Sequence, residues 1–248
     1  LMKLKNIMLQ IVYQSEANNP KEIHWMFREE AISFSENGIM TGTEPLSEAT
    51  KLLYRGEFLT ENNYPKDKRY INNYEQYSFY LFIDKWYPII QDLTIETFFI
   101  DDLNENAKSL ILSKGWQKVF IKDRVKSLTF LGSEKSVWPD TSFEQMKSLF
   151  IQNSKFNTMY SVRKYIEPFH FEAETRYWII AGNIYHPSGL IPKIVMEAVA
   201  RLCKLGGKFF VIDATPDLII EVNPGETSIR YANNPIEQFV EWIKLEYC

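Results

Sequence analysis

Two apolar runs near the C-terminal end constrain this chain more than any other feature. Phe209-Phe210-Val211-Ile212 has no polar alternation and stops at Asp213. After Pro216-Asp217 a second run, Leu218-Ile219-Ile220, leads into Glu221-Val222-Asn223. Short continuous apolar runs bounded by turn residues read as strands covered on both faces. The spacing predicts a hairpin, Lys208 to Ala214 paired with Leu218 to Val222. Side chains alternate along a strand, so Glu221 and Asn223 share a face, and the turn brings Asp213 back beside Glu221. Two carboxylates and an amide at one point suit magnesium, a hard ion that takes oxygen ligands and shares them with phosphates. Taken alone, the same residues serve equally as a turn cap at Asp213 and a surface ion pair at Glu221.

The remaining pattern alternates strand and helix, which implies an α/β protein. Ile7 to Tyr13 and Lys51 to Leu59 read as strands. Asn19-Pro20-Lys21-Glu22 reads as a capped helix start, with Ile23, Met26, Phe27 and Phe34 as its apolar stripe and Gly38 as its end. Tyr74 to Ile90 is aromatic-rich and reads as helical up to Pro88. Trp116 to Lys122, Tyr160 to Ile166 and Thr175 to Tyr185 read as strands, the last turning at Gly182-Asn183. Thr141 to Glu144 reads as a capping box opening a helix through Phe150. Pro192 to Leu205 reads as a helix closed by Gly206-Gly207, and Asn234-Pro235 as the start of a C-terminal one.

The 248 residues suffice for one large or two small lobes and need no disulfide or metal staple. Cys203 and Cys248 form no disulfide framework, which favours a reducing, cytoplasmic setting. Cys203 reads as packing. No apolar run reaches the roughly 18 residues of a membrane span. The charged start, Leu1 to Lys5, reads as the approach to a first strand rather than a secretory leader, with Leu1 ahead of Met2 as a leftover residue. A net charge of -4 argues against nucleic acid as a partner. Only 10 glycines are present, which excludes a long glycine-rich phosphate loop. His24, His170 and His186 are too scattered for a zinc site and read as structural.

Further polar residues sit where strands end. Lys122 closes the apolar strand Val119-Phe120-Ile121, so it reaches either solvent or an anion, for which phosphate is the natural partner. Glu174 and Arg176, two apart, read either as a surface ion-pair ladder or as a ribose and phosphate contact. Arg55, before Gly56, reads either as a surface arginine or as a cleft residue that meets a substrate carboxylate.

The order of these elements carries more than any one of them. A strand lysine (Lys122), an Arg163-Lys164-Tyr165-Ile166 segment, Glu174-Thr175-Arg176, and then Asp213 with Glu221-Val222-Asn223-Pro224-Gly225 together resemble the ATP-grasp superfamily. More narrowly they resemble the ATP-grasp clade named for two arginines and one lysine. That likeness rests on Ile121-Lys122-Asp123-Arg124-Val125-Lys126-Ser127, on Tyr54-Arg55-Gly56 and on Trp86-Tyr87-Pro88. The superfamily resemblance covers residues 113–248. It implies an ATP-grasp nucleotide-binding and catalytic region there, with residues 1–112 as a small N-terminal pre-ATP-grasp α/β lobe.

The resemblance implies an ATP- and magnesium-dependent ligase, with manganese as an alternative ion, that joins a small-molecule or peptide carboxylate to an amine through an acyl phosphate. Lys122 and Arg176 would face the phosphates as catalytic residues. Arg163, Lys164, Tyr165 and Ile166 would hold adenine, and Glu174 the ribose. Asp213, Glu221 and Asn223 would hold the metal. Arg55, Glu226, Thr227 and Ser228 would meet substrate. The chain departs from the family's pattern at two places: the stretch Ser127 to Ser133, where a glycine-rich flap is common, has one glycine, Gly132, and Arg163 stands where a glutamate is common. A further phosphate-binding lysine has Lys85 and Lys114 as its candidates. A nucleotide-binding module without ligase activity and an ATP-dependent phosphotransferase are the alternative readings on the same fold.

Overall fold

Apolar alternation along the strands of the protein sorts its side chains into three cores, and the cores define the layers. The computed structural model describes residues 8–125, 127–154, 156, 158–167, 174–230 and 234–248. Leu1 to Ile7, Lys126, His170 and the residues between Ile166-Glu167 and Glu174, on which parts of the sequence reading fall, lie partly or wholly outside them.

A parallel sheet, β4-β1-β5, is built from Met40–Gly42, Leu9–Tyr13 and Lys51–Arg55. An antiparallel sheet, β11-β10-β12-β13, is built from Asn183–Tyr185, Thr175–Ile180, Phe209–Ala214 and Ile219–Pro224. A second antiparallel sheet, β6-β9-β7-β8, is built from Thr97–Ile100, Tyr160–Lys164, Val119–Asp123 and Val137–Trp138. Its outer strand β6 therefore comes from before residue 112 and pairs with β9. No described helix is long and apolar enough to cross a membrane.

The β10–β12–β13 sheet is covered on both faces, as its unbroken apolar runs require. Tyr177, Ile179, Phe210, Ile212 and Val222 pack on helices α2 (Tyr74–Leu81), α3 (Ile83–Ile90) and α6 (Lys193–Leu202). On the opposite face Trp178, Ile180, Phe209 and Val211 pack on the parallel sheet, on α1 (Arg28–Glu36) and on α7 (Ile236–Tyr247). The third core joins one face of the β6-β9-β7-β8 sheet to α4 (Glu105–Ser113) and α5 (Phe143–Asn153). That sheet's other face carries Phe120, Lys122, Ser161 and Arg163, because Phe120 pairs with Arg163 and Lys122 with Ser161. It looks towards β13, the edge strand of its own sheet. Thr94 and Ile219 bridge the two sheets, with Ile219 N–H donating to Leu93 O at 2.9 Å and Thr94 Oγ1 donating to Ile219 O at 2.8 Å.

Several sequence expectations are corrected. Asn19 to Ile23 is a strand, β3, in a hairpin with β2 (Ser15–Glu16), and the helix begins only at Arg28. Asn19 uses its side chain inside the hairpin, accepting from Lys21 N–H and donating to Glu22 Oε1. Tyr74 to Ile90 is two helices broken at Phe82, not one ended at Pro88. Phe82 is extended, and the next amide, Ile83 N–H, donates across to Arg124 O. The turn after β10 is Ala181-Gly182, both with positive φ, one residue earlier than the sequence suggests. Ser142, not Thr141, caps α5.

Arg55 is the largest correction. It does not end in the cleft. It is fully buried, with Nε and Nη2 donating to the two oxygens of Glu30 at 2.8 and 2.7 Å and Nη1 donating to Ser228 O at 2.9 Å and to Gly225 O. The rings of Phe27, Trp178 and Phe239 surround the guanidinium at 5.3–5.5 Å. Its strand, helix α1, helix α7, the β10–β12 sheet and the turn after β13 thus meet at one cation. Removing one partner of a buried pair leaves the other charge uncompensated. Arg55→Met is therefore expected to lower the unfolding free energy by about 3–5 kcal/mol, read as a urea midpoint shift. A loss below about 1 kcal/mol would mean the pair behaves like a surface one.

Candidate active site

Period-two geometry puts the candidate residues of the second sheet on one face. Arg176 pairs with Asp213, Asp213 with Glu221, and Val211 with Asn223. Arg176, Asp213, Glu221 and Asn223 therefore project to the same side, beyond the point where Trp178 and Val211 enter the core. Lys122 comes from the facing sheet.

These side chains meet as ion pairs. Lys122 Nζ bonds Glu221 Oε1. Arg176 Nε and Nη2 hold both oxygens of Asp213 at 2.7 and 2.6 Å, and Nη1 donates to Ile229 O. Burial pushes the Asp213 carboxyl up, against the pull of Arg176. Burial would also raise Glu221, but the Lys122 ammonium, the hydrogen bonds from Lys122 and Asn223, and Arg163 together hold it below the usual range.

Two cavities open at this point. The first, of about 420 Å³, is amphipathic. Ile95, Phe120, Val137, Ile166 and Ile220 form apolar walls, and Lys122, Arg163, Glu174 and Glu221 gather among them. Lys164 and Tyr165 also line it, so the expected adenine segment and the expected phosphate lysine face one space. The second cavity, of about 650 Å³, shares Lys122, Ser127, Thr129 and Glu221 with the first and adds Arg176, Asn223, Thr227 and Ser228. Lys85 donates to Ser78 and Lys114 pairs with Glu96, and neither lines these cavities.

Arg163 is the least satisfied cation here. The residue is 4% exposed, and Nη2 reaches Thr94 Oγ1 at 3.3 Å. Among the described residues Nε has no hydrogen bond, and the nearby Ser161 hydroxyl has none either. Burial pushes Arg163 down to about 10, opposed by Glu221, Tyr87 and Glu174. A buried cation with one weak hydrogen bond, beside a hydroxyl with none among the described residues, leaves room for an anionic or polar ligand.

Among the described residues no three His, Cys, Asp or Glu side chains gather as a metal site. Glu221 and Asn223 face the second cavity, whereas Asp213 is committed to Arg176. Such a donor set fits magnesium that arrives with phosphates better than a free ion.

Of the expected substrate residues, Thr227 and Ser228 line the second cavity, while Arg55 and Glu226 lie behind it. Glu226 is buried and accepts from Asn72 Nδ2 at 2.7 Å, and its Oε2 has no partner. No local pattern singles out Asn72, which also donates to Phe209 O and accepts from Lys208 N–H. Nor does any single out Arg230, which lines the second cavity.

No family model matches the sequence, and no curated protein matches it either. Solved structures do match. D-cycloserine synthetase DcsG is 10% identical, over 97% of this chain and 99% of that one, with a TM-score of 0.59. Macrocyclase MdnC from Microcystis aeruginosa MRC, bound with precursor peptide MdnA, is 13% identical over 96% and 100%, with a TM-score of 0.56. ATP-grasp ligase PsnB, complexed with precursor peptide PsnA2 and AMPPNP, is 8% identical over 98% of each chain, with a TM-score of 0.56. The fold is ATP-grasp. At these identities the likeness concerns the backbone; in this chain Lys122 and Glu221, from the two antiparallel sheets, meet as an ion pair and both line the first cavity.

Glu226 gives the site region a pH dependence. Burial pushes its carboxyl up to about 7 from an ordinary 4.5, opposed by its backbone bond, Asn72 and Arg55. Between those pH values the unfolded chain has released the proton and the folded chain retains it, so stability falls as pH rises from about 4.5 through 7. The fall is on the order of 3 kcal/mol. Glu226→Gln should remove it, so the melting temperature of the variant relative to wild type should rise between pH 5 and pH 8. A pH-independent difference would contradict this.

Proposed function

We propose that the protein is an ATP- and magnesium-dependent ligase that joins a carboxylate to an amine through an acyl phosphate. The observation that carries this reading is the pair of joined cavities. One is a flat apolar slot ending in cations, and the other is a chamber reached through Lys122 and Glu221. Apolar walls suit a purine, and Lys122 and Arg163 suit the phosphates. The ATP-grasp fold supports the same division. The narrower assignment, to the clade named for two arginines and one lysine, is part of this proposal. Two of its three motifs are packing residues here, with Arg55 clamped inside and Trp86 in the core.

In this reading the backbone of residues 164–166 holds adenine and Glu174 the ribose. Lys122 exchanges Glu221 for the α and β phosphates, and Arg176 stands across the chamber. Glu221 and Asn223 would hold magnesium, with Asp213 keeping Arg176 in place. Bound with the nucleotide, the ion supplies charge neutralisation for the transferring phosphoryl group. A substrate carboxylate oxygen attacks the γ phosphorus and ADP departs. The amine then attacks the acyl carbon, loses a proton and displaces phosphate. Lys122, Arg163 and Arg176 offset the charge that spreads over the phosphoryl oxygens.

Calorimetry with Mg-AMPPNP tests the site. Wild type should bind, and Glu221→Ala and Lys122→Met should each weaken binding at least about tenfold, roughly the 1.4 kcal/mol of one lost charged contact. Unchanged affinity in both variants would sink the assignment. Products then separate the chemistries. An amide with ADP supports the ligase, a phosphorylated product indicates a phosphotransferase, and nucleotide binding with no product from a panel of carboxylates and amines indicates a binding module.

A further inference from the structure

Of the cations that line the second chamber, Arg230 has the loosest ion pair. Lys122 faces Glu221, Arg176 faces Asp213, and Arg55 faces Glu30. Arg230 Nε lies 3.9 Å from Glu30 Oε2, beyond hydrogen-bond range, on a carboxylate that already accepts two N–H groups of Arg55 and the Tyr13 hydroxyl. One carboxylate therefore stands against two guanidiniums. Arg230 Nη1 donates to Asn234 O at 2.7 Å, and Nη2 has no hydrogen bond among the described residues. The acidic residues on the outer side, Glu29, Glu36 and Glu237, line a separate cavity with Arg230 but make no ion pair with it within 4.0 Å among the described residues.

Arg230 lines the second chamber and not the first, whereas Lys122 and Glu221 line both. It is thus set apart from the nucleotide slot. The chamber around it is largely apolar, with Met26, Phe130 and Ile229 at 38%, 61% and 48% exposure. Glu57, which is exposed, is also on its wall. A loosely paired guanidinium, an exposed carboxylate and an apolar wall complement a zwitterion with an apolar side chain. A guanidinium fork fits a carboxylate through two parallel hydrogen bonds.

Resting on the ligase reading, we infer that the amine substrate is an apolar α-amino acid or a short peptide beginning with one, whose own carboxylate is anchored by Arg230 and whose side chain lies against Met26, Phe130 and Ile229. A carboxylate held there is kept from the phosphoryl donor. The anchored molecule therefore enters the reaction through its amine, and the activated carboxylate belongs to the other substrate.

The test uses wild type saturated with Mg-AMPPNP and titrated with L-phenylalanine, L-leucine, L-phenylalaninamide and L-aspartate, with binding read by calorimetry. Phenylalanine or leucine should bind at least tenfold more tightly than the amide and than aspartate. Arg230→Gln should bring phenylalanine down to the affinity of its amide and leave Mg-AMPPNP affinity within twofold of wild type. Arg230→Lys, which keeps the charge without the fork, should fall between. Equal binding of phenylalanine and its amide by wild type, no binding of either apolar amino acid, or an acid–amide preference that survives in Arg230→Gln overturns the inference. Failure of wild type to bind Mg-AMPPNP strikes the ligase reading itself, whereas intact nucleotide binding without the acid–amide preference strikes this inference alone.

Discussion

The buried guanidinium of Arg55 is the contact on which the arrangement of this molecule depends. An unpaired cation in that environment is intolerable, and its fixed fork demands acceptors in particular directions. Glu30 on α1 and the carbonyls of Gly225 and Ser228 meet that demand. Because those carbonyls follow directly on β13, the strand that bears Glu221 and Asn223 is fixed against the N-terminal sheet. Gly56, next in sequence, adds N–H donation to Glu226 O at 3.0 Å. It must be glycine, since a Cβ there would lie 2.2 Å from the Tyr54 hydroxyl oxygen. The N-terminal sheet is therefore more than a neighbour of the nucleotide site. It holds the far end of the strand that forms one wall.

The same economy governs the cleft. Lys122 with Glu221 and Arg176 with Asp213 neutralise one another across strands and between sheets. Burying charge is costly unless it is paired, so these contacts keep the cleft stable when it holds nothing else. They also set the terms for a ligand, which must offer each displaced group a new partner. A magnesium-bound triphosphate does this for both halves of the Lys122–Glu221 pair together: negative oxygens for the lysine and a cation for the glutamate. Either component alone satisfies one half and strands the other.

What the sequence made legible was what local pattern encodes. The hairpin from Phe209 to Pro224 could be read because its apolar runs, its turn and its period of two all agree. Lys122 could be read because a lysine at the end of Val119-Phe120-Ile121 contradicts its strand. The residues that escaped are those whose meaning is assembled from distant segments. The burial of Arg55 needs Phe27, Trp178 and Phe239, from three other elements. Asn72 becomes important only where Phe209, Lys208 and Glu226 reach it. Arg230 looks like any surface arginine until the neighbouring carboxylate is seen to be shared. The misread helix start at Asn19 has the same origin in miniature, since capping residues and hairpin-turn residues are chemically alike, and only the partner strand decides between them.

The register of β12 on β13 has one more consequence. Asp213 faces Glu221 on one side of the sheet, and Ile212 faces Val222 on the other. A slip of one residue would turn Glu221 and Asn223 into the helix-packed layer and Val222 out of it. A change in the turn between Ala214 and Ile219 has therefore to leave this register intact, for the sake of the core and of the site alike. The exposed chamber residues Met26, Phe130 and Ile229 lie under no such restraint, so substitutions there change what the chamber accepts and leave the facing of Glu221 and Asn223 as it is.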